Sequence, residues 1–387
     1  MDWSIRKYFK YKIIENIDFI IDNKIKNKYR PKFYHALKSH DNVKYGNYLG
    51  SRFNQILSQF YYVTKNTYLV GPDAVGITND NEIIVDTAGG SIKILDKCNP
   101  KMLMYHKHLP IEATIDYASV YITPYINVNN NNYSHWVIEC LLLIESVFAF
   151  EKKTGHKPKI IINSKPQNFQ IESLKLLGFF DKDIILWNYN KILVKNLIVP
   201  ACRLGVGKEK YKVKKYIINP DSMHWLRKKL TENIITSNNG HRNIMISRQG
   251  SKGRRFINHL EIMKVLKQYN FKEYKLELLS EYEKIKLFSN AKNIIGANGA
   301  GLINLIYCKN ANVISIVGKN SKIGENRTLN SIFQDIAVAL ELNYYELLSD
   351  LSYNNYSEEN TKSALLEYDL NVNLNELKKI MIRANMI

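Results

Sequence analysis

The second half of the chain contains the segment Asn293-Ile-Ile-Gly-Ala-Asn298-Gly299-Ala300-Gly301-Leu-Ile-Asn304. An apolar run, a glycine-rich turn and a second apolar run predict a strand, a tight turn and a helix. The glycines allow a ligand to approach the backbone, and the N-terminus of a helix attracts phosphate. The glycine order, Gly-x-x-Gly-x-Gly, is not the Gly-x-Gly-x-x-Gly of dinucleotide-binding proteins, so it disfavours a nicotinamide cofactor. The alternative is a turn that serves only close helix packing.

The segments on either side of this turn continue the alternation of strand and helix. Strands are predicted at 243–247 and 312–316, and a short one at 275–278. Helices are predicted over 258–269 and 280–290, with Asn258 and Ser280 as N-caps because a Glu follows each of them at the third position. Strands that alternate with helices are typical of an α/β domain with a parallel sheet.

The spacing of apolar and turn residues divides the whole chain into four parts. Residues 1–65 carry apolar residues at helical spacing and are predicted to form a helical extension. Residues 66–210 show short strands and turns, then a long helix over 132–153, then alternating strands and helices. Residues 211–350 form the second α/β domain, and 351–387 a helical tail. We therefore predict an α/β fold with two domains.

Charge and cysteine content restrict the function classes only in part. The net charge is +19, from 55 Lys and Arg against 36 Asp and Glu. A basic surface attracts phosphates, nucleic acid or anionic lipid, but the lysines are scattered, and a scattered excess favours no single partner. A basic nucleic-acid-binding protein stays as an alternative, although no basic arm or nucleic-acid motif is present. Four distant cysteines without a Cys-x-x-Cys argue against a disulfide framework or a zinc site.

Targeting signals are not evident in the sequence. The N-terminus has no apolar stretch of the kind found in signal peptides, and no window approaches 18 uncharged apolar residues. We therefore expect a cytoplasmic protein, with peripheral membrane association left open.

The first cluster that could carry chemistry is Asn132-x-x-His135-x-x-x-Glu139. Residues three and four apart share one face of a helix, so these three side chains are expected to form one stripe. The neighbours are strongly apolar, and a carboxylate in apolar surroundings suits a general base. The alternative is an N-cap Asn, a packed His and a solvated Glu.

The second cluster is the cationic loop Ser247-Arg248-Gln-Gly-Ser-Lys252-Gly-Arg254-Arg255. It follows a predicted strand, and ligands bind beyond the carboxyl ends of strands in open α/β sheets. Arginine can bind a phosphate through two parallel hydrogen bonds, although the loop could equally be an exposed basic turn. Two weaker patterns, His106-x-His108 and Asp181-x-Asp183, suggest a metal only faintly.

Taken together, these motifs resemble glycosyltransferase family 61. The resemblance extends over residues 65–346 and is strongest over 243–307, including 277–296 and Gly296-Ala-Asn298-Gly299-Ala300-Gly301-Leu-x-Asn304. It implies a GT-B-like architecture of two facing Rossmann-like domains with an inter-domain cleft. It also implies an inverting, metal-independent transferase that uses a nucleotide-sugar, UDP-linked by expectation, and no bound cofactor. The acceptor would be a glycan or glycoprotein.

The resemblance also assigns candidate roles to residues of this chain. Glu139 would be the base, with His135 and Asn132 beside it in the acceptor-side domain. The donor-binding candidates lie in the second α/β domain: Arg248, Lys252, Arg254, Glu277, Asn298, Gly299, Ala300, Gly301 and Asn304. Two positions depart from the family pattern, because Asn298 replaces a His and Lys284 replaces a Gln. The first departure motivates a further alternative, a degenerate protein that binds nucleotide or glycan without turnover.

Overall fold

A computed structural model describes residues 18–20, 61–79, 81, 83–88, 102–103, 105–122, 132–200, 205–206, 213–214, 220–232, 234, 242–251, 253–318, 331–352 and 368–387. This part of the chain is a mixed α/β protein, which confirms the predicted fold class at that level. Contacts divide the chain into two compact units, Met1–Ser222 and Met223–Ile387. The four-part division predicted from the sequence stays a prediction.

The first unit contains a large sheet with the strand order β4-β3-β2-β8-β5-β6-β7, in which β1 pairs with β2. Strands β8, β5, β6 and β7 are parallel, whereas β1, β2, β3 and β4 pair in antiparallel fashion and β2 runs antiparallel to β8. A small antiparallel pair, β9 and β10, lies later in the chain. The strands are β1 Asp18–Ile20, β2 Tyr61–Val70, β3 Val75–Ile77, β4 Ile83–Ile84, β5 Thr114–Val120, β6 Lys159–Asn163, β7 Ile184–Trp187, β8 Lys191–Pro200, β9 Gly205–Val206 and β10 Val213–Lys214.

Within the described residues two helices accompany this sheet, α1 Tyr133–Thr154 and α2 Asn168–Leu176, together with 3-10 turns at Val85–Ala88, His106–His108 and Asp181–Asp183. Helix α1 is the one helix among the described residues that is long and apolar enough to cross a membrane. Half of its apolar window is buried in the protein, and Trp136 donates a hydrogen bond to the Ser173 hydroxyl of α2 at 2.9 Å. Its apolar residues are thus placed as those of a core helix are.

The second unit contains a six-stranded sheet with the order β12-β11-β13-β14-β15-β16. The first five strands are parallel, and β16 is antiparallel to β15. The strands are β11 Asn243–Ile246, β12 Phe271–Tyr274, β13 Asn293–Ala297, β14 Asn312–Gly318, β15 Asn343–Ser352 and β16 Asp369–Asn371. The helices are α3 Pro220–Thr231, which crosses the division between the units, α4 His259–Lys267, α5 Glu281–Asn290, α6 Ser331–Ala339 and α7 Leu374–Arg383, with 3-10 segments at Leu276–Leu278 and Ala300–Tyr307.

A ladder of asparagine side chains fixes the register of this sheet at its amino edge. The first residue of each of four adjacent strands is an Asn, and each amide donates to the next at 2.9 Å, from Asn343 to Asn312, Asn293 and Asn243. The last amide, that of Asn243, donates to the carbonyl of Tyr269. These polar pairs are direct neighbours in the parallel register. Because a shift of one strand would break the row, the ladder favours a single alignment.

Three local predictions are corrected by the structure. Residues 18–20 and 61–65 are strands rather than helix, because pairing with β2 and β8 overrides the helical spacing of the apolar residues. The strand predicted at 275–278 lies at Phe271–Tyr274, and Leu276–Leu278 is a 3-10 turn. The predicted helical tail contains the end of β15 and strand β16 before helix α7, and α7 buries Leu377 and Met381 against the sheet.

Candidate functional site

Strands β11 and β13 lie side by side at the point where the order of the second sheet reverses. From β11 the chain passes through α4 to β12 on one side, and from β13 it continues to β14 on the other. The loops that leave neighbouring strands in opposite directions open a crevice at the carboxyl ends, where open α/β sheets bind their ligands. Here those loops are the cationic loop 247–255 and the glycine turn 298–301, so the sheet brings the two sequence motifs together.

Two of the glycines in the turn are required by packing against one side chain. A Cβ on Gly296 would lie 3.0 Å from Ile246 Cβ, and a Cβ on Gly301 would lie 3.0 Å from Ile246 Cγ2. Such distances are tighter than ordinary van der Waals contacts. The close approach of β13 and the following 3-10 segment to the end of β11 therefore depends on these glycines.

Gly299 faces the cationic loop instead. A Cβ at this position would lie 2.8 Å from Nη1 of Arg248 and 3.2 Å from Nη1 of Arg254. The backbone of Gly299 is extended, with φ 170°, so any residue could adopt its conformation. Its missing side chain instead leaves room for two guanidinium groups to meet at the turn.

Hydrogen bonds to backbone carbonyls hold both guanidinium groups. Arg248 donates through Nε and Nη2 to the Gly253 carbonyl at 3.1 and 2.9 Å. Arg254 donates through Nη1 to the Asn298 carbonyl at 2.6 Å. The Nε of Arg254 is buried and has no hydrogen-bond partner among the described residues. In that same part of the chain neither arginine forms an ion pair with a carboxylate.

The electrostatics of this arginine pair, Arg248 and Arg254, favour an anion. Burial and the neighbouring charge of Arg254 lower the pKa of Arg248 to about 10, although Glu277 and Asp369 oppose the shift. Burial likewise lowers the pKa of Arg254. Both groups stay protonated at neutral pH, so two like charges face each other in a partly desolvated place. A phosphate would relieve both the repulsion and the unsatisfied donor.

The remaining cations of the loop have different positions. Arg255 turns away from the pair and binds Asp369 through Nε and Nη2, at 3.1 and 2.7 Å. Lys252 lies outside the described residues. Glu277 is exposed in the 3-10 turn after β12, and its charge favours the protonated form of Arg248. Thus the loop offers at least two cations to a ligand, with an acidic residue near them.

The other candidates in and after the glycine turn make hydrogen bonds within their own domain. The side chain of Asn298 is 8% exposed and donates to the Ser315 hydroxyl at 3.3 Å. Asn304 is buried and donates to the Gly301 carbonyl at 2.9 Å. Ala300 and Gly301 begin the 3-10 segment, whose first N–H groups belong to the turn. The side-chain amide of Asn298 therefore points into the domain. Its backbone carbonyl accepts the hydrogen bond from Arg254.

A partner of the cationic loop was missed by the sequence reading, namely residues 368–372 near the C-terminus. Tyr368 accepts from the Arg254 N–H at 2.6 Å, and Leu370 bonds to Arg255 and Ile257 through its backbone. Asn258, predicted as an N-cap, instead exchanges two hydrogen bonds with Val372. Asn258 does occupy the predicted N-cap position, directly before His259, but its side chain makes no capping hydrogen bond. A contact across 114 positions leaves no local pattern in the sequence.

The first unit contains the other predicted cluster, at the start of α1. Nδ1 of His135 lies 2.6 Å from Oε1 of Glu139, and the two side chains are 22% and 17% exposed. The predicted contact between them is therefore confirmed. Asn132 instead caps the helix, because its side chain accepts from the backbone N–H and the hydroxyl of Ser134. Asn132 thus has the capping role that the sequence left open as the alternative.

Helix α1 is irregular at Glu139. Residues Trp136–Cys140 form a π-helical turn and Leu141–Ile144 a 3-10 turn, before a regular helix resumes at Glu145. A π-turn inside a helix widens the backbone and is often found at functional sites. The sequence gives no signal for it, since the apolar spacing predicts an ordinary helix.

The weak metal patterns do not form a site. Nδ1 of His106 bonds to the Leu103 carbonyl at 2.9 Å, and Asp183 pairs with Lys157 at 2.9 Å. Among the described residues no group of three His, Cys, Asp or Glu side chains is placed to bind a metal ion.

Part of the chain is similar to a known protein family. Residues 133–314 match the family model Glycosyltransferase 61. This segment, a little under half of the chain, is identified with glycosyltransferase family 61. No match was found among curated proteins. The matched segment begins at the first residue of α1 and ends inside β14. It therefore includes the His135–Glu139 pair, the arginine pair and the glycine turn.

One feature of the site lies beyond the matched segment, and another lies within it but departs from the pattern expected for the family. Residues 368–372, which hold the cationic loop, lie beyond residue 314. At position 284, where Lys replaces the expected Gln, Nζ lies 2.6 Å from Oε1 of Glu281, and both side chains are buried. Lys284 thus has an ionic partner on its own helix.

Proposed function

We propose that this protein is an inverting, metal-independent glycosyltransferase that moves a hexosyl or pentosyl group from a nucleotide-sugar to a hydroxyl of a glycan or glycoprotein. The observation that carries the proposal is the arginine pair at Gly299, at the reversal point of a doubly wound sheet. Membership of a glycosyltransferase family supplies the reaction class. The inverting course, the donor, UDP-linked by expectation, and the acceptor are the proposed details.

The second unit would bind the diphosphate of the donor. When the glycosidic bond breaks, negative charge develops on the leaving diphosphate, and fixed donors stabilise it without reorganisation. Arg248 and Arg254 offer charged N–H groups that are already oriented by the carbonyls of Gly253 and Asn298. The backbone N–H groups after Gly299 add further donors. These groups supply the positive charge that a metal ion provides in other transferases, so metal independence is part of the proposal.

The first unit would supply the base. In the proposed step Glu139 accepts the proton of the acceptor hydroxyl, whose oxygen attacks the anomeric carbon as the bond to the diphosphate breaks. One C–O bond forms and one breaks, and the configuration inverts. The 2.6 Å contact with His135 fixes the orientation of the carboxylate. The same contact also suits the reverse assignment, with His135 Nε2 as the base and Glu139 orienting the ring.

A transfer assay tests the proposal. Purified protein is incubated with nucleotide-sugars and glycan acceptors in EDTA, and the product is detected by mass spectrometry, with its anomeric configuration read by NMR. We expect one inverted product from one donor. Glu139→Gln should abolish transfer and leave nucleotide binding unchanged. Near wild-type turnover of this variant would exclude Glu139 as the base, and a product with retained configuration would exclude the single displacement.

A second candidate function follows from Asn298. Its side chain bonds to Ser315, and an amide cannot exchange a proton as the family's histidine could. The second candidate is a degenerate family member that binds nucleotide or glycan without turnover. Nucleotide binding without any product, across the donor and acceptor panel, would favour it. Action in the cytoplasm, with or without peripheral membrane contact, belongs to the proposal in either case.

A further inference from the structure

The backbone of Arg254 adopts a conformation that residues other than glycine rarely adopt. Its φ is +57°, in the left-handed region, although the residue is not a glycine. Such a conformation persists only where the surroundings hold it. The direction of the Arg254 side chain toward Gly299 depends on this backbone geometry.

The contacts come from residues 368–370. The N–H of Arg254 donates to the Tyr368 carbonyl at 2.6 Å, and the N–H of Leu370 donates to the Arg255 carbonyl at 2.8 Å. Between them lies Asp369, which is 2% exposed. Its Oδ1 accepts from the backbone N–H of Arg255 at 2.9 Å, and its two oxygens accept from the Arg255 guanidinium. Asp369 therefore fixes both the backbone and the side chain of the residue next to Arg254.

The charge of Asp369 is maintained by its partners. Burial alone would raise the pKa of Asp369, but the hydrogen bonds and charge of Arg255, with the charge of Arg248, lower it below its ordinary value of 3.8. The carboxylate is thus ionised at neutral pH. Its electrostatic effect reaches Arg248, one of the two anion-binding candidates.

We infer that Asp369 is a positioning residue for the arginine pair, and that the C-terminal segment 368–372 completes the diphosphate site. The inference rests on the proposed function. Asp369 acts through Arg255, whose fixed backbone directs Arg254 toward Gly299. The segment lies outside the matched residues 133–314, so the phosphate site of this chain depends on a part of the chain that the family model does not include.

Calorimetric titration of the full chain with inorganic pyrophosphate and with UDP, in EDTA, tests the inference. The variants are Asp369→Asn and, as a matched control, Asp183→Asn, which removes the charge of another buried aspartate, paired with Lys157 at 2.9 Å in the first unit. We expect Asp369→Asn to weaken binding tenfold or more, and Asp183→Asn to bind as wild type does. Melting temperatures establish that each variant is folded during the titration.

Each outcome has one meaning. Equal affinity of Asp369→Asn and wild type would overturn the positioning role and leave the proposed function standing. An equal loss in Asp183→Asn would also overturn it, because the effect would then be a general loss of stability. Absence of binding to the wild type would overturn the proposed function and the inference together. If Asp369→Asn does not fold, Arg255→Lys replaces it, because Arg255 is 41% exposed and the substitution disturbs the core less. Lysine cannot bind both carboxylate oxygens of Asp369 at once, so the same tenfold loss of affinity is expected.

Discussion

The guanidinium of Arg254 donates a hydrogen bond of 2.6 Å to the backbone carbonyl of Asn298. This bond links the loop after β11 to the turn after β13. Since the acceptor is a neutral carbonyl, the hydrogen bond orients the guanidinium of Arg254 without neutralising its charge. The charge of Arg254 is thus available to a ligand, and the proposed donor site depends on this orientation of the guanidinium.

Gly299→Ala tests the role of the missing side chain. The added Cβ would meet the ends of Arg248 and Arg254 at 2.8 and 3.2 Å, while the extended backbone accepts alanine without strain. We expect the arginines to separate and at least one charge-assisted bond to the diphosphate to be lost. A bond of this kind contributes about 1.5–3 kcal/mol, so affinity should fall about tenfold or more. Titration with UDP measures this, and the melting temperature should change little.

Gly296→Ala is the matched control. Its Cβ would meet Ile246 at 3.0 Å inside the sheet, away from the arginines. This variant should lower the melting temperature, because overpacking of a core costs about 1–3 kcal/mol, while the folded protein keeps most of its affinity. Equal losses of affinity in both variants would contradict the distinction between packing and binding glycines.

The His135–Glu139 contact gives a prediction about which group takes the proton. If Glu139 is the base, Glu139→Gln should lower kcat by about 10²–10⁴, and His135→Gln, which can still donate to the carboxylate, should lower it much less. If His135 is the base, both variants should lose activity to a similar extent. Steady-state rates at saturating donor decide between them.

Asn132→Ala is the control for this comparison. The residue caps α1 through Ser134, so its loss should cost about 1 kcal/mol of stability and leave kcat within a few-fold. A loss of activity as large as that of Glu139→Gln would show that Asn132 has a chemical role that its position in the structure does not suggest.

The asparagine ladder predicts a stability difference between two similar substitutions. Asn293 is an interior rung and 3% exposed, whereas Asn343 is the exposed end rung. Asn293→Ala would leave part-buried groups of Asn243 and Asn312 unpaired, at a combined cost of about 1–3 kcal/mol. Asn343→Ala would remove one bond near solvent and should cost less than about 1 kcal/mol. Urea unfolding of the two variants checks this, and equal destabilisation would contradict it.

The lowered pKa of Asp369 predicts how stability depends on pH. Its folded value lies below its ordinary value of 3.8, so the carboxylate stabilises the folded state at all pH values above the unfolded pKa. This contribution decreases as the pH falls through the folded value. The difference in unfolding free energy between wild type and Asp369→Asn should be constant from about pH 5 to pH 8 and should shrink below about pH 4. A difference that is unchanged in acid would contradict the ion pair.

The sequence predicted the parts of the fold that rest on local patterns. The strands that begin at Asn243, Asn293 and Asn312 are found where predicted, because short apolar runs between turns leave little choice of structure. The capping box of Ser280 and Glu283 is confirmed by reciprocal hydrogen bonds. The contact between His135 and Glu139 is also confirmed, since a spacing of four residues survives the π-turn.

The features that were missed depend on distant contacts. Strand β16 has only three residues, and its pairing with β15 and with the cationic loop cannot be read from its own sequence. Asn258 has the pattern of an N-cap, but the backbone of Val372 competes successfully for its amide. Arg254 and Arg255 are adjacent and chemically identical. The buried carboxylate of Asp369 nevertheless binds Arg255, whereas Arg254 donates to the glycine turn. Local sequence cannot distinguish them.

The melting temperature of the purified protein in the presence of nucleoside diphosphates and their sugars, with and without EDTA, tests the central claim most directly. A ligand that binds only the folded state raises this temperature. We predict a rise with one nucleoside diphosphate and its sugars that is unchanged by EDTA and absent in Arg254→Ala. No rise with any nucleotide, or a rise that requires a divalent metal, would contradict a donor site formed by Arg248, Arg254 and Gly299.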